Sequence, residues 1–215
     1  CFLTTDAAIT PKALDRALRL AVQDSFNMLS VDEDMSTNDT CVILAGGKAG
    51  NPEITEASAD FQKFTEALKG LCIQLARAMA KDGEGADKLL VCSVSGAVDD
   101  RNARTVAKSV ICSSLVKAAM FGADANWGRV LCAIGYSGAT VNIHKVDVDF
   151  VSSVGSLAVC RDGAGIPFDE TLGKKILAED EITIQVTLHD GSSSATAFGC
   201  DLTYDYVKIN GDYRT

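Results

Sequence analysis

Apolar side chains recur along this chain with two different periods. In TPKALDRALRLAVQDSFNMLS, Leu14, Ala17, Leu18, Ala21 and Val22 fall three and four residues apart, the spacing of an amphipathic helix. Thr10 and Pro11, just ahead of them, suit the N-cap and the first turn. Phe61, Phe64, Leu68, Leu71, Leu75 and Met79 predict a longer helix that stops at KDGEGAD. Between the two, a polar loop, VDEDMSTNDT, leads into the apolar strand CVILA, which ends at Gly46 and Gly47. KLLVCSVSGA is β-rich, RNARTVAKSVICSSLVKAAMFG reads as a third helix, and NWGRVLCAIGYSG reads as a loop running into a buried strand.

The second half turns β-rich. VNIHKVDVDF and EITIQVTL alternate apolar and polar residues, the mark of strands with one buried face, and DETLGKKILAED is a short helix between them. ATAFGCDLTYDYVKIN is expected to finish the sheet region. Long helices alternating with two groups of strands predict a layered α/β architecture. The pattern does not order the hairpins and crossovers. With no repeat, low-complexity stretch or linker, residues 1–215 are expected to form a single domain.

Composition narrows the chemistry. At 47% hydrophobic and 23% charged, the chain has ordinary globular composition. No run of about 18 apolar residues occurs, and the first segment lacks the basic start of a signal peptide, so a soluble protein is expected. The formal charge of -9 argues against a nucleic-acid partner, which needs stripes of Lys and Arg. A cationic small molecule is a better match. The eight cysteines are scattered without a CxxC pair, and only His144 and His189 accompany them, so neither a zinc site nor a disulfide framework is expected. Several cysteines sit inside apolar runs, as in LLVCSV and RVLCAI, and read as small buried hydrophobes.

Four stretches stand out as polar, glycine-bracketed or hydroxyl-rich between apolar elements: STNDT (36–40), DGEG (82–85), NWGR (126–129) and NGDYRT (210–215). Loops on a rigid scaffold often carry function. Each also has a plain structural reading: a capped turn, a helix stop, packing around the only tryptophan, and a solvated tail. A serine hydrolase is poorly supported, since no GxSxG elbow exists, and the GxGxxG and Walker phosphate loops are missing too. The first position is chemically interesting, because an N-terminal residue can use its own α-amine as a base.

Taken together, these stretches closely resemble one family, the glutamate N-acetyltransferases, or ornithine acetyltransferases, of arginine biosynthesis. FLTTDAAI, SFNMLSVDEDMSTNDT, DGEGADK, AKSVICSSLVKAAMFGADANWGRVLCAIGYSG and ATAFGCDLTYDYVKINGDYRT carry the resemblance, in order, across nearly the whole chain. Members of that family are made as one precursor that cuts itself before a threonine, and this chain looks like the resulting β subunit. In the family that subunit opens Thr-Met-Leu, a variable residue, Phe and, three residues on, Thr-Asp-Ala. Laid on CFLTTDA, this puts the nucleophilic threonine three residues before Cys1, outside the chain, and leaves Cys1 as a core residue of the first strand. The resemblance assigns substrate contacts to Glu84, Asn210 and Thr215. Departures from the family pattern are Glu33 and Met35, where small or hydroxyl residues are common, and Ala125, where proline is usual.

The resemblance implies a layered α/β sandwich like that of N-terminal-nucleophile hydrolases. It also implies ping-pong transfer of acetyl from N-acetylornithine to glutamate, releasing ornithine, with acetyl-CoA left open as a second donor. No metal or cofactor is implied. The oxyanion donors are expected from the α subunit of the same precursor, in a cytoplasmic α2β2 heterotetramer with no membrane or nucleic-acid partner. Two rivals remain: a related self-processing aminopeptidase, which would pass its acyl group to water, and a non-catalytic amino-acid-binding subunit that has lost its nucleophile.

Overall fold

The computed structural model describes residues 1–212. In chain order the first half contains β1 (Phe2–Thr5), α1 (Pro11–Gln23), β2 (Leu29–Ser30), β3 (Val42–Ala45), α2 (Ala59–Lys81) and β4 (Leu89–Ala97). Then follow α3 (Asp100–Cys112), α4 (Ser114–Phe121), α5 (Trp127–Gly135), β5 (Asp147–Ser152), β6 (Gly155–Arg161), β7 (Ala164–Gly165), α6 (Glu170–Leu177), β8 (Glu181–Thr187), β9 (Ser193–Cys200) and α7 (Tyr204–Asp212). The chain packs as two compact units. One comprises Cys1–Asn27 and Asp34–Ala76; the other comprises Met28–Glu33 and the chain from Arg77 on.

In the first unit, β1 and β3 pair in parallel, Phe2 opposite Val42 and Thr5 opposite Ala45. As the spacing predicts, α1 begins at Pro11 under a Thr10 cap, whose hydroxyl accepts the Ala13 N–H at 3.3 Å. Ala13, Ala17 and Ala21 are its fully buried residues, a stripe of small side chains along one helix face. The core of this unit gathers Leu3, Ala17, Ala21, Leu68 and Cys72, with Phe61 and Phe64 packed against them.

The second unit is built on a seven-stranded mixed sheet in the order β2-β9-β4-β8-β5-β6-β7. Strands β4 and β8 run parallel, while β4–β9, β8–β5 and β5–β6 are antiparallel. Alternation decides which face is dry. Leu90, Cys92 and Val94 of β4, Ile182, Ile184 and Val186 of β8, and Val148 and Phe150 of β5 form one continuous apolar layer. Helix α3 covers it with Ala103, Val106, Ala107, Val110 and Ile111, and α6 packs on β5 and β6 through Ile176 and Leu177. At Gly199 the approach is so close that a Cβ would meet the Ile111 side chain at 2.6 Å. The opposite face carries Ser93, Ser95, Thr183, Gln185, Thr187 and Thr196, and none of these is fully buried.

Three elements differ from the sequence expectation. The third predicted helix is two helices, because Ser113 adopts an extended backbone and its hydroxyl caps α4 through the Val116 N–H. NWGRVLCAIG is helix α5 and not a loop and strand: Val130, Ala133 and Ile134 are buried at helical spacing. That helix turns Cys132 outward, so it is exposed despite its apolar neighbours. The end of ATAFGCDLTYDYVKIN leaves the sheet after Cys200 and becomes α7.

Candidate active site

STNDT is an exposed turn closed on itself. Asp39 Oδ2 accepts the Ser36 N–H at 3.3 Å, Ser36 Oγ accepts the Asn38 N–H at 3.1 Å, and Thr40 donates to the Asn38 carbonyl at 3.0 Å. These groups satisfy one another, as in a capped turn. NWGR is a helix start and a packing element. Asn126 Oδ1 accepts the Arg129 N–H at 3.2 Å, and Arg129 Nη1 donates to the Leu115 carbonyl at 2.8 Å. Trp127 lies so close to Gly165 that a Cβ there would come within 2.2 Å of the indole.

The DGEG loop behaves differently, because it meets a segment more than a hundred residues away. After α2 the chain turns tightly, with the Ala86 N–H donating to the Gly83 carbonyl at 3.0 Å. Neither glycine tolerates a side chain. Gly85 has φ +65°, and a Cβ on it would lie 2.6 Å from the Tyr206 nitrogen; one on Gly83 would lie 2.8 Å from Cys200 Sγ. Glu84 between them sits exposed at the tip. Its Oε2 accepts a hydrogen bond from Asn210 Nδ2 at 2.7 Å. Two of the three residues carried over from the resemblance are thus in direct contact. Thr215 lies outside the described residues.

The chemistry of this pair follows from where the amide protons go. Asn210 Nδ2 donates both to Glu84 and, at 3.1 Å, to the Tyr206 carbonyl one helical turn back. Both bonds go to acceptors, which fixes the orientation of the amide. Among the described residues no donor reaches Asn210 Oδ1. The pair therefore offers a carboxylate and an amide oxygen side by side, a set of acceptors that fits an ammonium and not a carboxylate.

Residues that the sequence reading passed over hold this arrangement. Asp201 is 3% exposed, and its Oδ1 accepts the N–H groups of Asp87 and Lys88 at 3.0 Å each. Its Oδ2 is buried without a hydrogen-bond partner among the described residues. Burial pushes its carboxyl above the ordinary carboxylate range, against the two N–H donors and Lys88, which favour the charge. The Thr203 hydroxyl donates to the Gly85 carbonyl at 2.6 Å and accepts the Tyr206 N–H at 3.2 Å. Tyr206 Oη donates to Asp32 Oδ2 at 2.9 Å. One signal was available in advance: a threonine directly before a helix is a preferred cap.

Cys1 is exposed and not a core residue; its backbone nitrogen donates to the Thr40 carbonyl at 2.8 Å, and Leu3 is the buried residue of β1. Burial pushes the thiols of Cys41, Cys72, Cys92, Cys112, Cys160 and Cys200 above their ordinary value, which keeps them protonated and weakly nucleophilic. A cleft of about 530 Å³ beside Ser153 and Glu179, and one of about 420 Å³ beside Glu33 and Cys112, include neither Glu84 nor Asn210. Among the described residues no group of His, Cys, Asp and Glu is placed to hold a metal ion, and no helix is long and apolar enough to cross a membrane.

The fold is of the mixed α/β layered class, with the glycine-bracketed DGEG loop bonded to α7. Comparison with known proteins gives the rest. The chain belongs to the ArgJ family, whose sequence model matches residues 1–215. It is 50% identical over its whole length to the arginine biosynthesis bifunctional protein ArgJ 1 of Clostridium acetobutylicum, and covers 52% of that protein. It is 51% identical to the ArgJ protein of Symbiobacterium thermophilum, again over its whole length and 52% of the relative. The chain spans about half the length of the curated relatives it matches. Its fold agrees with the crystal structure of the Bacillus halodurans arginine biosynthesis bifunctional protein ArgJ, with a TM-score of 0.91 at 43% identity, covering 99% of this chain and 98% of the other.

Proposed function

We propose that this chain is the β portion of a self-cleaving acetyltransferase that moves an acetyl group from N-acetylornithine to glutamate in arginine biosynthesis. Membership of the ArgJ family supports the reading, and so do relatives named for arginine biosynthesis that are about twice its length, as a two-part precursor requires. The observation that carries it is the hydrogen bond between Glu84 and Asn210, which joins the two segments the resemblance assigns to substrate into one acceptor set.

In this reading a threonine hydroxyl upstream of Cys1 attacks the acetyl carbonyl of N-acetylornithine. Its own α-amine takes the hydroxyl proton and passes it to the departing ornithine nitrogen. The resulting acetyl ester is then attacked by the glutamate amine, which returns the proton and frees the threonine. The oxyanion of each step is held by donors of the α portion, in a cytoplasmic α2β2 assembly. Glu84 and Asn210 bind and orient; neither carries a proton. Their oxygens accept from an ammonium of the ornithine half, and the resemblance assigns Thr215 a further substrate contact.

Glu84→Gln keeps the shape and removes the charge. In the self-cleaved assembly it is expected to raise KM for N-acetylornithine by about tenfold or more, the scale of one charge-assisted hydrogen bond, while precursor cleavage proceeds. An unchanged KM overturns the assignment.

A further inference from the structure

Glu84 is exposed, and an exposed loop tip ordinarily samples many positions. Here the loop is anchored directly after the glutamate, on its C-terminal side, by side chains from one short segment. Ahead of α7, Asp201 grips the N–H groups of Asp87 and Lys88, and Thr203 grips the Gly85 carbonyl. Both are buried, at 3% and 6% exposure, and lie two residues apart in the short connection between β9 and α7. The Thr203 hydroxyl is used twice. It donates to Gly85 and accepts the Tyr206 N–H, so a single oxygen ties the loop to the first turn of the helix that carries Asn210. Asn210 lies seven residues beyond Thr203, about 10 Å along the helix axis. Glu84 and Asn210 are therefore positioned by the same joint.

We infer that Thr203, with Asp201 behind it, is a positioning residue for the substrate-binding pair, an inference that rests on the role proposed for Glu84. The half-satisfied carboxylate of Asp201 supports this. A buried oxygen without a partner is costly and persists where its sibling does work that no apolar residue can do. That work is holding two consecutive backbone donors of the loop. Preorganisation of this kind sets affinity without contact, because a carboxylate that must first be ordered binds its ammonium more weakly. The lesion is expected in substrate binding and not in the acyl transfer step, where neither residue takes part.

The test is a double-mutant cycle in the self-cleaved assembly. Thr203→Val keeps the shape and loses the hydroxyl; it is expected to raise KM for N-acetylornithine by about fivefold with kcat within about twofold, and Thr203→Ser to restore KM. In the Glu84→Gln background, Thr203→Val is expected to raise KM by less than about twofold further, because it acts through the group already removed. An unchanged KM in Thr203→Val, or the same factor in both backgrounds, overturns the inference while leaving the role of Glu84 intact. An unchanged KM in Glu84→Gln removes that role and this inference with it. Should Thr203→Val fail to assemble, Thr203→Ala, with no added methyl to accommodate, takes its place in the same cycle.

Discussion

Glu33 holds a strained backbone conformation. Its φ is +75°, in the left-handed region where a side chain is crowded, and its N–H is held by Ser30 Oγ at 3.1 Å. Relief of that crowding outweighs the extra freedom a glycine gives the unfolded chain. Glu33→Gly is expected to stabilise the protein by about 1 kcal/mol, a gain of about 2–4 °C in Tm read by thermal melting. The same scale explains what the sequence hid at the candidate site. The glycines made the DGEG loop stand out, while the family resemblance and not the bracket pointed to Glu84. Thr203 was legible only as a cap and Asp201 not at all, since nothing in DLT separates a buried aspartate that grips backbone from one that points to water. Their work depends on a loop more than a hundred residues away, and no local pattern reports that.

Elements with a sustained period were legible and those set by a single cap were not. Helix α2 carries six apolar residues three and four apart, and β8 follows strict alternation, so both could be placed in advance. VLCAIG is short and apolar throughout, and at that length a buried strand and a helix share one pattern. What decides it is Asn126, whose side chain receives the Arg129 N–H and starts α5. Ser113 breaks the preceding helix in the same way, and Thr203 ends the sheet region by starting α7. Asn126→Ala is expected to cost about 1 kcal/mol in a denaturant titration, because it removes a cap. The KM for N-acetylornithine should not move, since the NWGR stretch does structural work. A raised KM would place it in the site after all.

For the whole molecule, a formal charge of -9 makes acid stability a question of individual carboxylates. At Asp147 burial works against the charge, yet His189 at 2.9 Å, the Asp162 N–H and Arg161 together hold its carboxyl below the ordinary value. A lowered folded pKa means the unfolded chain takes up protons first. The stabilisation is therefore complete above the ordinary value of about 3.9 and is lost as pH falls through the lower folded value. Asp201 has the opposite sign: its raised pKa is a penalty on the charged form that protonation relieves. Asp147→Asn is accordingly expected to flatten the loss of stability as pH falls below about 4, followed by urea titration at each pH. A curve parallel to the parent's would assign the acid limb to other groups. The packing of Trp127 against Gly165 has an optical consequence. It is the only tryptophan in the chain, and the four tyrosines all follow it in sequence, whereas the aromatic residues of the first unit are phenylalanines alone. Indole emission from this chain is thus a reporter of the second unit and is blind to the first. A melt followed by that light measures the half that carries Glu84 and Asn210, while far-ultraviolet circular dichroism of the same sample records the helices of both.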